Sequence, residues 1–150
     1  MDFSTITDGL LIGAMPAADD YALLYGLGVR LVLNMRFTRF LPPGIKTPPC
    51  RVLWLRTIDS PFSPIPIKKL AQGVSAALEV LDSGGKVYTH CAYGRHRSVA
   101  MGSAILIAQG YSAFDAMNLI KSQRAAADPD MFYIKSRILK FDQHWHKTGH

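Results

Sequence analysis

The sequence has few cysteines and no long apolar stretch. Only two of its 150 residues are cysteines, Cys50 and Cys91, which excludes a disulfide framework and favours free thiols in a reducing compartment. No apolar run reaches the roughly 18 residues that a membrane-spanning helix needs. The first residues also lack the basic region of a secretory signal, so we expect a cytoplasmic protein without a stable membrane anchor.

Acidic residues are in the minority. The chain has 17 Lys and Arg against 11 Asp and Glu, which gives a formal net charge of +6. Such an excess attracts anions, although it also serves simply to keep a protein in solution. A Lys/Arg block, an RNA-binding aromatic motif, internal repeats and low-complexity tracts are all absent, so nucleic acid is not an expected partner. The length and the 49% of hydrophobic residues fit one domain over residues 1–150.

Short apolar strands alternate with helical patterns along the chain. The predicted strands are a short pair within 6–16 and single strands at 29–35, 51–58 and 86–90, and the predicted helices are 19–27, 67–81, 98–109, 112–124 and about 130–146. Pro-rich segments at 36–50 and 59–66 are predicted to be loops. This alternation predicts a single α/β domain whose mostly parallel central sheet of four to five strands is flanked by helices.

Three chemically capable residues follow three of the predicted strands. Arg36, Asp59 and Cys91 each come just after an apolar run. Ligands on parallel sheets bind beyond the carboxyl ends of the strands. A base, an acid and a thiol at three strand ends therefore predict an active site at that edge.

The run HCAYGRHRS, residues 90–98, joins a predicted strand to a predicted buried helix. Gly94 permits a tight loop, and the loop amides at a helix N-terminus form a cradle for an anion. The predicted phosphate-binding loop consists of Ala92, Tyr93, Gly94, Arg95, His96 and Arg97. Arg97 closes the cradle with a planar fork that matches two phosphate oxygens. The same field stabilises a thiolate, so Cys91 is predicted to attack a bound phosphate at phosphorus.

This run, with its C-x5-R spacing, resembles the signature loop of the cysteine-dependent protein tyrosine phosphatase superfamily. The order of elements around it is similar to that of the small dual-specificity phosphatases, over roughly residues 5–145. The resemblance implies the dual-specificity phosphatase-like fold and metal-independent hydrolysis of phosphomonoesters through a phosphocysteine, with no cofactor. It favours phosphotyrosine proteins, with phosphoserine and phosphothreonine proteins as further substrates.

The resemblance also implies roles for individual residues. Cys91 is the nucleophile, and Asp59, about thirty residues upstream, protonates the leaving oxygen and then activates water. Ser98 hydrogen-bonds the sulfur, and His90 orders the loop from behind. Two structural alternatives remain open at this point: Asp59 simply starts a turn before Ser60, and Ser98 caps the helix.

Basic side chains near the predicted loop leave the substrate open. Arg36, Arg95 and His96, together with Arg39, form a possible basic rim or a solvated surface. The letters GRHR resemble the GKHR loop of fungal and plant phosphatases that act on inositol pyrophosphates. An inositol phosphate or phosphoinositide phosphatase is therefore the alternative function. We expect a monomer in either case.

Other classes of protein also use a cysteine in an anion loop. A catalytically inactive phosphate-binding module is one alternative, and a sulfur-transfer or arsenate-reducing protein is another. The presence of Asp59, Arg97 and Ser98 favours phosphate ester hydrolysis. Cys50 precedes a strand, away from the predicted site, so we interpret it as an unreactive buried thiol rather than a redox partner. We interpret Arg124 as structural.

Overall fold

The computed structural model describes residues 1–38 and 48–150. Its elements in chain order are β1 (Phe3–Thr5), β2 (Leu10–Gly13), α1 (Asp20–Gly26), β3 (Val29–Asn34), β4 (Arg51–Trp54), α2 (Ile67–Asp82), β5 (Lys86–His90), α3 (Arg97–Ala108), α4 (Ala113–Gln123) and α5 (Phe132–Lys147). The predicted α/β fold class is confirmed, with a five-stranded sheet between layers of helices.

The sheet places β5 at its centre. Its strand order is β1-β2-β5-β3-β4, with β1 antiparallel to β2 and the other pairs parallel. Thr89 and His90, at the carboxyl end of β5, lie beside Ile12 and Gly13 of β2. On the other side the same two residues lie beside Leu33 and Asn34 of β3, so the chain leaving β5 emerges between two neighbouring strand ends.

Alternate residues of the parallel strands pack into two different cores. Leu31, Leu33 and Val87 belong to the larger cluster, which they share with α2, α3, α4 and α5. Val32 and Tyr88 point to the opposite face, where the smaller cluster lies against α1. This alternation follows from the period of two in an extended strand. Both faces are covered, which explains why these strands read as nearly continuous apolar runs.

Helix α3 is the central helix of the larger layer. Residues 98–107 are all buried, and α2, α4 and α5 each pack against α3. A helix that is apolar on every side is stable only in such a position. Burial on all sides fixes the N-terminus of α3 against the carboxyl end of the sheet, and this positions the loop that connects β5 to α3.

Two boundaries differ from the prediction in ways that matter for the site. Strand β4 ends at Trp54 instead of Ile58, because β4 is an edge strand and the residues after Leu55 leave the ladder to contact the α3 end of the sheet. Helix α3 begins at Arg97 with His96 as its N-cap residue, so Ser98 lies inside the first turn and does not cap the helix.

Other predicted features agree with the structure. Helix α1 is followed by Gly28 at a φ of 103°, a conformation in which glycine is the favoured residue. The Ser112 side chain accepts a hydrogen bond from the Asp115 backbone N–H at 3.0 Å and so caps α4. Arg39 lies outside the described residues. In residues 1–38 and 48–150, no helix has both the length and the apolar character needed to cross a membrane.

Candidate active site

Cys91 follows the last residue of β5, and its thiol faces the first turn of α3. The residue is only 4% exposed. Its Sγ atom lies 3.3 Å from the Ser98 Oγ atom. The side chain of Thr89 donates to the Ser98 carbonyl at 3.0 Å, which ties the first turn of α3 to the end of β5. The strand and the helix thereby fix the sulfur between them.

The buried guanidinium of Arg124 holds the connecting loop from behind. Its Nε and Nη2 atoms donate to the carbonyls of Gly94 and Tyr93 at 2.8 and 2.9 Å. Asp2 accepts from both terminal nitrogens at 3.1 Å, and Ser4 accepts from Nη1 at 3.2 Å. Arg124 is 2% exposed, so its charge is stabilised chiefly by these acceptors. The sequence indicates a structural role for this arginine, and the structure shows that what it supports is the loop.

The other carbonyls of the loop also have partners away from the thiol. The Cys91 carbonyl lies 3.2 Å from His90 Nδ1. The Ala92 carbonyl accepts a hydrogen bond from the Met15 amide at 3.4 Å. The Arg95 carbonyl accepts one from the Asp128 amide at 3.0 Å. Across a planar trans peptide, a carbonyl and the N–H of the next residue point in opposite directions. Because these carbonyls point away from the thiol, the loop N–H groups that follow them point toward it. The amides of Arg95 and Ser98 favour the charged form of the sulfur and lower the pKa of Cys91. A ring of inward amides is an anion-binding nest.

Gly94 makes this loop geometry possible. Its φ is 66°, in the left-handed region that glycine adopts readily. A Cβ at this position would lie 2.6 Å from the carbonyl group of Gly13 and 2.7 Å from Arg124 Nη2. Both the backbone angle and the close approach of β2 therefore require glycine here.

The surroundings of Cys91 favour its thiolate. Burial works against the charged form, but hydrogen bonds from the Ser98 side chain and from the amides of Ser98 and Arg95 favour it, as does the charge of Arg97. Together these donors hold the pKa of Cys91 below its ordinary value. Cys91 therefore has the environment of a nucleophile.

Arg97 lies at the same strand ends. Its Nη1 atom donates to the carbonyls of Met35 and Thr57, at 3.3 and 3.0 Å. Its Nε atom is buried and has no hydrogen-bond acceptor among the described residues. A guanidinium anchored at one nitrogen, with a second donor unsatisfied beside an amide nest, is suited to binding an oxyanion.

His90 lies beneath the loop and is 2% exposed. Burial lowers its pKa to about 4, and the nearby charges of Arg36 and Arg97 act in the same direction against the hydrogen bond to the Cys91 carbonyl. His90 is therefore neutral at physiological pH, and its Nδ1 atom carries the proton that the Cys91 carbonyl accepts. This position accords with the loop-ordering role that the resemblance implies.

Asp59 enters the site from the loop after β4. Its Oδ1 atom accepts a hydrogen bond from the Tyr133 hydroxyl at 2.6 Å, and its Oδ2 atom lies 3.0 Å from His96 Nδ1. Partial burial alone would raise the pKa of Asp59. The hydrogen bonds from Tyr133 and His96, with the charges of His96 and Arg97, outweigh burial and hold this pKa below its ordinary value.

Sequence reasoning missed Tyr133 and Asp128 as members of the site. Tyr133 lies in the first turn of α5, and its contact with Asp59 joins residues far apart in the chain. Asp128 lies in the connection between α4 and α5, 3.5 Å from His96 Nε2. Neither residue belongs to a local motif, so only the packing of α5 against the loop reveals them.

The three predicted rim residues occupy different environments. The side chain of Arg95 is 60% exposed and lies 3.9 Å from Asp128. That of His96 is 12% exposed and lies between two carboxylates. Arg36 has its Nη1 atom 2.7 Å from the sulfur of Met15. Arg95 is therefore the most solvent-accessible of the three side chains.

A cavity of about 250 Å³ opens above the thiol. Its lining residues are Asp59, Cys91, Ala92, Tyr93, Arg95, His96 and Arg97. A larger cavity, of about 430 Å³, lies near the amino ends of the strands, beside Gly28, Arg30 and Glu79. Its lining contains no cysteine. The chemistry therefore selects the smaller cavity, which is large enough for a phosphate group.

The described residues offer little else for a second catalytic centre. Within them, no group of three or more His, Cys, Asp or Glu side chains has the arrangement of a metal site. Cys50 is a free thiol, 5% exposed, in the smaller apolar cluster. Burial raises the pKa of Cys50, in contrast to that of Cys91.

Comparison with curated proteins finds phosphatases. The chain is 32% identical over 131 residues to protein-tyrosine-phosphatase MKP1 of Arabidopsis thaliana, a match that covers 85% of this chain but 16% of that protein. It is 28% identical over 142 residues to dual specificity phosphatase 28 of Mus musculus, which covers 94% of this chain and 84% of that one. No protein-family model matches the chain.

Solved structures show the same similarity. A mouse dual specificity phosphatase complexed with zinc tungstate superposes with a TM-score of 0.86 at 26% identity, over 97% of this chain and 89% of that one. PTPMT1 in complex with PI(5)P superposes with a TM-score of 0.83 at 26% identity, over 99% of both chains.

Proposed function

Because this chain belongs to the cysteine-dependent protein tyrosine phosphatase superfamily and resembles its small dual-specificity branch, we propose that it hydrolyses phosphomonoesters through a phosphocysteine at Cys91. The observation that carries the proposal is the Cys91 thiol, held at the floor of an amide nest and stabilised as a thiolate. The proposed reaction uses side chains and loop amides and calls for no cofactor.

In the first step, the loop amides and Arg97 bind the phosphate oxygens above Cys91. The thiolate attacks phosphorus in line, an S–P bond forms, and the P–O bond to the leaving group breaks. Asp59 gives a proton to the departing oxygen in this proposal, and its position in the lining of the same cavity supports that role. The amides and the guanidinium stabilise the charge that builds up on the phosphoryl oxygens.

In the second step, water attacks the phosphocysteine. Asp59 accepts a proton from that water, and inorganic phosphate forms as the S–P bond breaks. The departing sulfur regains the hydrogen bond from Ser98 Oγ, which lies 3.3 Å away in the structure. Ser98 thus stabilises the thiolate as a leaving group in this step and as a nucleophile in the first.

Phosphotyrosine proteins are the proposed substrates, with phosphoserine and phosphothreonine proteins as further ones. The curated relatives are named protein tyrosine and dual specificity phosphatases, which supports this class. The side chain of Tyr93 in the loop is 76% exposed beside the cavity, and an aromatic surface there suits a phosphorylated aromatic side chain.

A phosphoinositide or inositol phosphate is the second candidate substrate. PTPMT1, whose solved structure is similar over nearly the whole chain, was crystallised with PI(5)P. The side chain of Arg95 is 60% exposed at the cavity and offers a cation for a further phosphate group. We propose further that the protein acts as a monomer in the cytoplasm, since a catalytic thiolate needs a reducing compartment.

The test is phosphate release in the presence of a chelator, from a phosphotyrosine peptide and from an inositol polyphosphate at matched concentrations. Cys91→Ser serves as the blank. We expect faster release from the peptide. Faster release from the inositol compound would favour the second candidate and make Arg95 a specificity residue. Turnover that needs a metal, or that survives Cys91→Ser, would contradict the phosphocysteine mechanism.

A further inference from the structure

The imidazole of His96 lies between two carboxylates. Its Nδ1 atom is 3.0 Å from Asp59 Oδ2, and its Nε2 atom is 3.5 Å from Asp128 Oδ2. The side chain is only 12% exposed, so water does not fully screen either contact. His96 therefore bridges the loop that carries Asp59 and the connection that carries Asp128.

The contact at Nδ1 has hydrogen-bond geometry, whereas Nε2 is buried and faces Asp128 at ion-pair distance, with no hydrogen-bond partner among the described residues. One proton more than a neutral imidazole and two carboxylates hold would make both contacts favourable. A neutral ring with its proton on Nδ1 would direct the Nε2 lone pair at Asp128. A neutral ring with its proton on Nε2 would direct the Nδ1 lone pair at an ionised Asp59. An extra proton removes both conflicts, whether it makes His96 an imidazolium or makes Asp59 a carboxylic acid. These two forms differ only in the position of one proton between Nδ1 and Oδ2.

Each partner in the bridge is held from another side. Tyr133 donates to Asp59 Oδ1 at 2.6 Å, and its ring meets the His96 ring edge to face at 5.9 Å. The amide of Asp128 donates to the Arg95 carbonyl at 3.0 Å, and the Arg95 guanidinium lies 3.9 Å from the Asp128 carboxylate. With Arg97 on α3, these are the charged and titratable groups around the dyad of Asp59 and His96 in residues 1–38 and 48–150.

Asp59 alone is poorly suited to act as an acid at neutral pH, because a carboxyl group ordinarily loses its proton well below neutral pH. The hydrogen bonds from Tyr133 and His96 hold the pKa of this carboxyl lower still. A general acid works best when it keeps its proton near the working pH. A neighbouring base that holds the same proton removes this difficulty, since the proton stays within one hydrogen bond of the carboxylate.

We propose that His96 stores the proton that Asp59 delivers to the leaving group, with Asp128 and Tyr133 as the positioning residues of this relay. The inference rests on the proposed phosphatase function and deepens it. His96 belongs to the predicted phosphate-binding loop and also contacts the proposed acid, Asp59. Because it acts through Asp59, it is a positioning residue and not a rim cation that contacts the substrate.

The proton that the Asp59–His96 pair gives up in the first step is replaced in the second. In the first step the S–P bond forms, the ester P–O bond breaks, and the ester oxygen takes the shared proton from Asp59. His96 is then neutral, with its remaining proton on Nε2 facing Asp128, and Asp59 is a carboxylate. In the second step the attacking water gives a proton to Asp59, which shares it again with His96 Nδ1. The phosphate leaves and the starting form returns.

The test compares His96→Asn with wild type on two aryl phosphates, phenyl phosphate and 4-nitrophenyl phosphate. An Asn side chain keeps an N–H donor near Asp59 but cannot carry the stored proton. We expect a loss in kcat of about 10-fold to 100-fold for phenyl phosphate and less than about 3-fold for 4-nitrophenyl phosphate, whose leaving group needs protonation less. In wild type the descending limb of the pH profile reports loss of the proton that the pair shares, not the titration of Asp59 by itself. Without the histidine, that limb should move to lower pH, toward the ordinary range of a carboxyl group.

Two further variants separate the relay from a structural role. Asp128→Asn removes the negative charge that stabilises the imidazolium, so it should move the same limb to lower pH by a smaller amount. Asp59→Asn combined with His96→Asn should be little worse than Asp59→Asn alone, because both act on one proton. His144→Asn, an exposed histidine near the end of α5, is the matched control and should change none of these quantities.

Equal losses on both esters with an unmoved pH limb would overturn the relay, and so would additive losses in the double variant. Failure of the proposed function itself gives a different result, because wild type would then show no Cys91-dependent turnover of either ester. If His96→Asn fails to fold, an unmoved limb in Asp128→Asn overturns the relay by itself.

Discussion

The two cysteines of the chain lie at opposite ends of the parallel strands of one sheet. They are almost equally buried, with 4% of Cys91 and 5% of Cys50 exposed. Cys91 follows the carboxyl end of the central strand β5, whereas Cys50 precedes the amino end of the edge strand β4. The pKa of Cys91 lies below its ordinary value, and that of Cys50 lies above it.

The difference comes from donors rather than from exposure. Burial opposes the thiolate at both positions. At Cys91 the Ser98 hydroxyl, two amides and Arg97 overcome that penalty. At Cys50 the donors are too few to do so, and the apolar cluster around Tyr21 and Leu24 dominates. A reactive cysteine is therefore recognised by the hydrogen-bond donors that converge on it, and burial alone gives no indication.

Substitution of the two cysteines should give the largest contrast. Cys91→Ser removes the thiolate nucleophile, and we expect kcat to fall by about 10⁴-fold or more. Cys50→Ala should keep kcat within about 2-fold, since Cys50 touches no part of the site. Steady-state kinetics on 4-nitrophenyl phosphate measure both. Comparable losses in the two variants would mean that Cys50 takes part in the reaction.

The support behind the loop should produce the next largest effect. Arg124→Lys keeps the charge but loses the fork that holds the carbonyls of Gly94 and Tyr93, so the inward amides shift. Small displacements of catalytic groups cost about 100-fold, and we expect a loss of that order in kcat/KM. Lys121→Ala, which breaks an exposed ion pair with Asp130, is the control. A fully active Arg124→Lys enzyme would show that the loop holds its shape without this support.

The thiol pKa itself provides a third comparison. Ser98→Ala removes a donor that favours the thiolate of Cys91, so its pKa should rise and alkylation by iodoacetate should shift to higher pH. At a pH below the midpoint of the wild-type alkylation profile, we expect alkylation of Cys91 about 3-fold to 10-fold slower than in wild type, because the thiolate fraction there falls about tenfold for each unit by which the pKa rises. Mass spectrometry of the modified peptides gives both sites at once, and Cys50 should react slowly in both proteins. Phosphate should protect Cys91 from alkylation. An unshifted alkylation profile in Ser98→Ala would show that Ser98 does not lower the pKa of Cys91.

The smallest effect concerns stability at Cys50. Cys50→Ala leaves a small void in the apolar cluster between the sheet and α1, and we expect a loss of about 1 kcal/mol in the free energy of unfolding. Denaturant unfolding measures it, with the m-value as a check on the two-state transition. An unchanged midpoint would indicate that the cluster closes around the smaller side chain.

Much of the fold could be predicted from local patterns. The central strand 86–90 was predicted with its exact range, and the buried helix after it began within one residue of its observed start. Strong periodicity and the uniform apolar character of α3 explain this success. The end of β4 was predicted too late, because an apolar run at a sheet edge does not show where its single neighbour stops pairing.

The Cys91 loop was predictable because it is local, whereas the more distant Asp59 was assigned only through the family resemblance. Cys91, Arg97 and Ser98 lie within one strand–loop–helix connection, and their spacing in the chain brings them together. Arg124, Asp128 and Tyr133 reach the site from the far end of the chain, and no spacing links them to it.

The sequence by itself determined the α/β architecture, the thiol in its loop and the chemistry that the loop supports, because these depend on residues close together in the chain. Tertiary structure alone decided which side chains fix the loop carbonyls and which groups share a proton with Asp59. The packing of α4 and α5 against α3 places Arg124, Asp128 and Tyr133 within hydrogen-bond or ion-pair distance of the loop residues and of Asp59. Hydrogen bonds and charges act over a few ångströms of space, irrespective of distance along the chain.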